Sequence, residues 1–237
     1  LFRSYLDSGN EARIKKAYES RDPRLQMAVI TPYAQYNGAS SGIAHTYTLR
    51  WPYRGSDSAE PFDIRTDTND KFYYLWRKFV PEGLEQTERD TYGLDIPLIR
   101  YAEVLLLKAE ALNEWGSTHE SEAIRCVNEV RRRAGHVELN NATYPATKVN
   151  GQSDLRERIR NEYYWEIGGE DSMYFHELRW GTWKDKKFDN NRNGLMQMWG
   201  ETTYTWYWLG DQCWSWPIPA KEMEMNSNLE QNEGWIN

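Results

Sequence analysis

The sequence predicts a mainly α-helical protein in which a helical hairpin packs with loop-rich regions and short β-hairpins. Three observations predict it. Two helical strokes follow one another between Ile99 and Gly135. A further apolar stripe steps by four through Leu155, Ile159, Tyr163 and Ile167. Between Thr31 and Phe62 the chain is instead broken by Pro32, Gly38, Gly42, Pro52, Gly55 and Pro61, with strand-like runs such as HTYTLRW between them.

Residues Arg3 to Tyr18 read as an amphipathic helix, and Pro23 marks its boundary by biasing Asp22 away from helical backbone. Residues 31–94 form the loop-rich part. Within it, Lys71 to Val80 reads as a strand or short helix, followed by a polar loop. In the hairpin, Ile99, Ala102, Leu105, Leu106, Ala109 and Leu112 recur at spacings of three and four, which places them on one helix face. Ala123, Val127, Val130 and Ala134 do the same in the second stroke. Gly116 suits the end of the first helix, and Ser117 with Glu120 forms a capping box for the second. The pair, residues 95–135, has tetratricopeptide-like geometry and length. A single repeat cannot bury its own face, so further helices must pack on it. A protein-interaction scaffold of that type would need several repeats. Ser153 reads as the N-cap of the next helix, with Asp154 in its first turn. Gly168 and Gly169 should weaken or kink that helix, and helical character resumes through MYFHELRWG. Thr202 to Trp216 alternates as a β-hairpin with LGDQ at its turn.

Composition excludes several functions. Lysine and arginine total 29 against 36 acidic residues, a net charge of −7. With no polybasic run, nucleic acid is not an expected partner. No apolar stretch is long enough to span a membrane. Cys126 falls near the apolar face of a helix, so a buried free thiol is the expected state, with a Cys126–Cys213 disulfide the alternative. The cysteines and the four histidines show no metal-ligand spacing, and Asp57 and Asp63 lack a calcium-binding loop, so no metal or cofactor is expected. Glu162, Glu166 and Glu170 line one helix rather than flank a gap, which is wrong for a glycosidase pair. They are expected to form exposed pairs with Arg158, Arg160 and Arg179. Arg131, Arg132 and Arg133 suit a helix C-terminus.

The unusual quantity is the aromatic content: 12 Trp and 16 Tyr in a chain of mean hydropathy −0.88. Such rings offer an apolar face with a polar edge. Loops on a rigid scaffold concentrate binding residues. The loop-rich part holds Tyr33, Tyr36, Trp51, Tyr53, Arg54 and Asp57, a mix of flat rings and planar polar groups that suits a sugar. Trp51 is the leading candidate. A second aromatic group comprises Trp199, Tyr204, Trp206, Tyr207, Trp208, Trp214 and Trp216. It is expected to be packing, with surface stacking the alternative. Tyr73, Tyr74 and Trp76 are expected to pack.

Five segments carry a family resemblance in order: RDPRL from Arg21, DIPLIRYAEVLLLKAEALNEWG from Asp95, EAIRCVNEVRRRAG from Glu122, DLRERIRNEYYWE through HELRWG from Asp154, and PIPAKEMEMNSNLEQNEGW from Pro217. Together they resemble the C-terminal part of the SusD/RagB family of outer-membrane nutrient-binding lipoproteins. Family members usually carry apolar residues where Gly168 and Gly169 stand, and arginine at the place of Met173. The family's long N-terminal portion, with its lipid-bearing cysteine, is not matched, and Leu1 in place of Met suits a piece of a longer chain or a processed one. The resemblance implies a SusD-like α/α superhelix across residues 1–237. Residues 31–94 would face the ligand, and residues 153–237 would contribute a helix, a β-hairpin and a Pro-framed tail. It implies a non-enzymatic, lipid-anchored protein on the extracellular face of the outer membrane that captures oligosaccharide for a SusC-like TonB-dependent transporter. Peptide capture, as in the RagB-like branch, is the alternative.

Overall fold

Leu106, Ala109, Ala123, Val127, Leu155, Ile159, Tyr163 and Ile167 are almost wholly buried, and they mark where three helices meet. The computed structural model describes residues 16–19, 21–31, 33–40, 42–49, 63–64, 75–83, 93, 95–170, 172–188 and 208–235. Its contacts divide the chain into two units, residues 1–173 and 174–237.

In the first unit, residues 16–19 are helical, and the rest of the predicted N-terminal helix lies outside the described residues. Helix α1 (Pro23–Ala28) follows, with Pro23 in its first turn and the Asp22 side chain accepting from the Arg24 N–H at 2.9 Å. The missing N–H of proline costs nothing there. Strand β1 (Val29–Ile30) leads into β2 (Gln35–Ser40) and β3 (Ile43–Leu49), an antiparallel hairpin with Tyr36 opposite Tyr47. Gly42 takes the positive φ, +77°, that its tight turn requires. β4 (Asp63–Ile64) adds parallel to β3, and β5 (Leu75–Trp76) returns antiparallel to β1. The loop-rich part thus contains a three-stranded sheet.

Helices α2 (Tyr101–Trp115) and α3 (Glu120–Arg133) form the predicted hairpin, and α4 (Gln152–Ile167) packs chiefly on α2. Each fully buried Leu or Ile contributes roughly 1.5–3 kcal/mol gross. Ile99 departs from its predicted place: it precedes the helix and is exposed. Polar bonds lock the three helices together. Asn113 Nδ2 donates to the Gln152 carbonyl at 3.2 Å, and Gln152 Nε2 donates back to the Asn113 carbonyl at 2.7 Å. Asn128 makes the same reciprocal pair with the Leu139 backbone, which pins the α3–α4 connection.

The helix ends correct two expectations. Gly116 ends α2 as predicted, but Ser117–His119 form a 3-10 turn and no side chain caps α3, so the capping box is not made. Helix α4 starts at Gln152 after Gly151, which places Ser153 inside the first turn rather than at the cap. Asp154 instead accepts from the Asn150 N–H at 2.8 Å and from Arg158 Nε at 2.9 Å. Gly168 and Gly169 terminate α4 rather than kink it. Gly169 has φ +82°, and a Cβ there would lie 2.7 Å from the Trp76 ring, so glycine alone fits. Trp76, expected to pack, touches Gly169 yet is more than half exposed, while Tyr73 and Tyr74 lie outside the described residues.

The second unit takes up most of α5 (Ser172–Arg179), then α6 (Trp183–Phe188) and α7 (Ala220–Met225). The predicted β-hairpin is not formed at its second stroke: Asp211–Trp214 make a 3-10 turn. Residues 202–207, its first stroke, lie outside the described residues. In the Pro-framed tail, side chains bond the backbone of neighbouring segments. Gln231 accepts from the Ile218 N–H at 2.7 Å and donates to its carbonyl at 2.9 Å, and Trp235 Nε1 donates to the Ser215 carbonyl at 2.9 Å.

Cys126 is a buried free thiol whose pKa burial pushes up, and Cys213 is free as well. No helix among the described residues is long and apolar enough to cross a membrane.

Candidate functional site

The segment between β1 and β5 is bounded by two strands that pair with each other: Val29 lies opposite Trp76, and Ile30 opposite Leu75. The aromatic excursion is therefore tied off at its base. A second set of contacts docks it from outside. Tyr36 Oη donates to the Pro81 carbonyl at 2.8 Å, the Asn37 N–H donates to Glu82 at 3.1 Å, and Arg77 bonds the Gln26 and Gln35 carbonyls while pairing with Glu82 at 2.9 Å.

What holds the base on the helices is a buried ion cluster. Glu162 is fully buried and bridges two guanidinium groups, Arg24 Nη1 and Arg131 Nη1, each at 2.7 Å. Glu166 receives Arg24 and Arg100, each at 3.1 Å, and Arg133. Glu170 receives Arg100 Nη2 at 2.7 Å and Lys78. Lys78 also donates to the Glu166 and Gly168 carbonyls at 2.9 and 3.3 Å, which satisfies the free carbonyl end of α4. Arg24 reaches back to Asp22 at 2.6 Å. The cations thus come from α1, the residues after β5, the approach to α2 and the end of α3, and they converge on α4 and on Glu170, which lies just past its end rather than on the helix. A cleft of about 270 Å³ opens beside them, lined by Met27, Phe79 and Trp165 as well as the charged groups.

This corrects the exposed pairs expected for Glu162, Glu166 and Glu170. Arg158 pairs with Asp154, Arg160 bonds Glu157, and Arg179 bonds His176. Arg131 and Arg133 join the cluster, and Arg132 alone of the three pairs outside it, with Glu138. Sequence reasoning missed Arg24, Lys78 and Arg100. One signal was present: Glu162 and Glu166 adjoin Tyr163 and Ile167 and so share the helix face of the apolar stripe, which buries them.

Of the predicted binding residues, Tyr33 is half-buried with φ +63°, an uncommon value for a ring-bearing residue. Tyr36 is buried, so its ring serves packing rather than stacking. Trp51, Tyr53, Arg54 and Asp57 lie outside the described residues. In the second aromatic group, Trp208 and Trp214 pack with ring centroids 5.1 Å apart, while Trp216 is exposed. Trp199, Tyr204, Trp206 and Tyr207 lie outside the described residues.

The cluster makes the fold acid-sensitive. Burial alone would raise the pKa of Asp22 and Glu170, but bonds from Arg24 to the first, and from Arg100 and Lys78 to the second, hold both below their ordinary values. Burial, then the neighbouring Arg131 charge, holds His136 below its ordinary value although Asp22 lies 3.5 Å away. A depressed carboxylate stabilises the fold above its unfolded pKa of about 4 and loses that contribution as pH falls through the folded value. A depressed imidazole takes its proton more readily when unfolded, so stability falls as pH drops below about 6.5. All three effects have one sign. Urea denaturation should show stability declining from pH 7 to pH 5 and more steeply below pH 4. His136→Asn should flatten the upper part of that decline.

The fold is that of a SusD-like helical superhelix. A SusD-like protein of Bacteroides fragilis shares it with a TM-score of 0.59, at 22% identity over 93% of this chain and 40% of that one. The SusD family model matches residues 4–235, and the chain belongs to the SusD family. Among its relatives are the SusD-like protein P38 of Formosa agariphila, 32% identical over 58% of this chain and 24% of that protein, and the starch-binding protein SusD of Bacteroides thetaiotaomicron, 28% identical over 68% of this chain and 25% of that protein. The chain therefore spans about a quarter of the length of these relatives.

Proposed function

We propose that this chain is part of a cell-surface protein that binds oligosaccharide, passes it to a SusC-like TonB-dependent transporter in the outer membrane, and does no chemistry on it. Attachment to the membrane is through a lipid carried elsewhere in the longer protein. Membership of the SusD family supports the reading, as does a relative named for starch binding. The observation that carries it is the aromatic excursion, closed at its base by β1 and β5 and held to the helices by the ion cluster. Binding residues concentrate on loops carried by a rigid scaffold, where less order has to be paid for on binding. Trp51 is the principal stacking ring proposed, with Tyr53 and Tyr33 beside it and Arg54 and Asp57 bonding hydroxyls. Tyr36 belongs to the mount.

Stacking one pyranose face removes on the order of 100 Å² of apolar surface, roughly 2.5 kcal/mol gross. Two or three rings are needed to reach micromolar-to-millimolar affinity after association costs. In native gels containing soluble polysaccharides, the full-length protein should be retarded by its cognate glycan, and Trp51→Ala should weaken retardation about tenfold, the net value of one stacked ring. A broad panel of plant, host and microbial glycans that leaves the wild type unretarded would overturn the reading. Peptide binding in its place would favour the RagB-like alternative.

A further inference from the structure

The tail of the second unit holds a tryptophan outward. Trp216 is 72% exposed. Exposure of one ring is ordinary, but this ring is not loose. Its Nε1 donates to Tyr174 Oη at 3.3 Å, which sets the indole plane. Its backbone carbonyl accepts from Asn232 Nδ2 at 2.6 Å. Two residues on, Ile218 is gripped at both its N–H and its carbonyl by Gln231. Pro217, between these grips, and Pro219, just past them, restrict the backbone. Trp235 bonds the Gln212 and Ser215 carbonyls on the other side, and Gly234 permits the close approach, since a Cβ there would lie 2.7 Å from Gln212. The QNEGW segment is therefore a clamp, and one thing that it presents is an immobilised indole.

Beside Trp216 the surface continues in aromatic rings. Tyr174 meets Phe175 edge-on at 5.3 Å between centroids and Trp183 at 4.9 Å, and Phe175 is 63% exposed. A polar edge lies within the same group at Tyr174 Oη, which accepts the indole N–H and keeps its own hydroxyl proton to donate. A rigid ring with a polar rim suits the apolar C–H face of a pyranose and its flanking hydroxyls. An indole exposed to this degree offers on the order of 150 Å², enough for one sugar ring and far below the ~800 Å² that a stable protein partner covers.

We propose that Trp216, with Tyr174 and Phe175, is a second sugar-stacking subsite, separate in sequence from the Trp51 loop, that takes one residue of a neutral polysaccharide chain. The inference rests on the oligosaccharide reading above. A subsite of this kind works through effective concentration: once the first site holds the chain, the second meets it at high local concentration, so the gain is seen with long glycans more than with short ones.

The test uses the full-length protein in native gels cast with amylopectin, xyloglucan, arabinoxylan, mannan or pectin. On whichever polysaccharide retards the wild type, Trp216→Ala should lower apparent affinity about tenfold. Trp216→Phe should restore most of it, and Phe175→Ala, at an exposed position, should give a smaller loss in the same direction. Titration with a hexasaccharide of the same glycan should show a smaller effect of Trp216→Ala than the polymer does. Unchanged retardation of both alanine variants, with the wild type and its Trp51 dependence intact, overturns the subsite and leaves the oligosaccharide reading standing. A wild type retarded by none of the five overturns the subsite as formulated, and the broader panel then decides the parent reading.

Discussion

Replacing Glu162 with glutamine is expected to lower the stability of the fold by about 3–5 kcal/mol, the range for removing one partner from a buried ion pair. Glu162 has no exposed surface, and each of its oxygens faces a buried guanidinium at 2.7 Å. Glutamine keeps the shape but removes the charge, and its amide group would turn N–H donors toward one of two cations that themselves only donate. Arg24 and Arg131 would then stay buried with one carboxylate fewer. The effect should extend past the helix, because Arg24 belongs to α1, whose end leads into the β1–β5 tie. Equilibrium unfolding in urea measures the loss. Glu157→Gln, on the same helix but paired with Arg160 at the surface, should change little. Equal behaviour of the two variants would refute the anchoring role of the cluster.

Leu106→Ala should cost about 2–5 kcal/mol, with the upper part of the range applying where the site cannot collapse. Leu106 has no exposed surface and sits in α2, the helix that packs on both α3 and α4. The reciprocal Asn113–Gln152 pair fixes the spacing of α2 from α4, so a vacated volume has little means of closing. Leu98→Ala is the comparison: that side chain is 89% exposed and stands before the helix, and its loss should be near neutral. Thermal unfolding of the two variants separates burial from hydrophobicity, since the residue type is the same.

Both effects concern the scaffold, and the scaffold is where reading the sequence succeeded and failed most instructively. Periodicity located α2, α3 and α4 because an apolar stripe is a local property of a helix, visible without its neighbours. The same reasoning placed Cys126 correctly in the interior. It failed at the helix starts, where Ser117 and Ser153 have the chemistry of caps but the chain turns one or a few residues away from them. It also failed at Asp211–Trp214, where alternation suggested a strand and a compact turn forms instead, its Gln212 carbonyl bonded by the Trp235 indole from 23 residues on. Tyr36 read as a surface ring, yet it is buried and bonds the Pro81 carbonyl, 45 residues on.

By itself the sequence determined the class of the molecule: its three amphipathic helices and its family words. Each depends on neighbours within a few residues. Tertiary structure alone decided the electrostatics. Glu162, Glu166 and Glu170 recur at spacing four, which suits exposed pairs within one helix as well as a buried cluster. Only the fold brings Arg24 from 142 residues away, and Lys78 and Arg100 from other segments, to the same helix face. Coulomb attraction acts on distance in space, and distance in space between such remote residues is not written in their spacing along the chain.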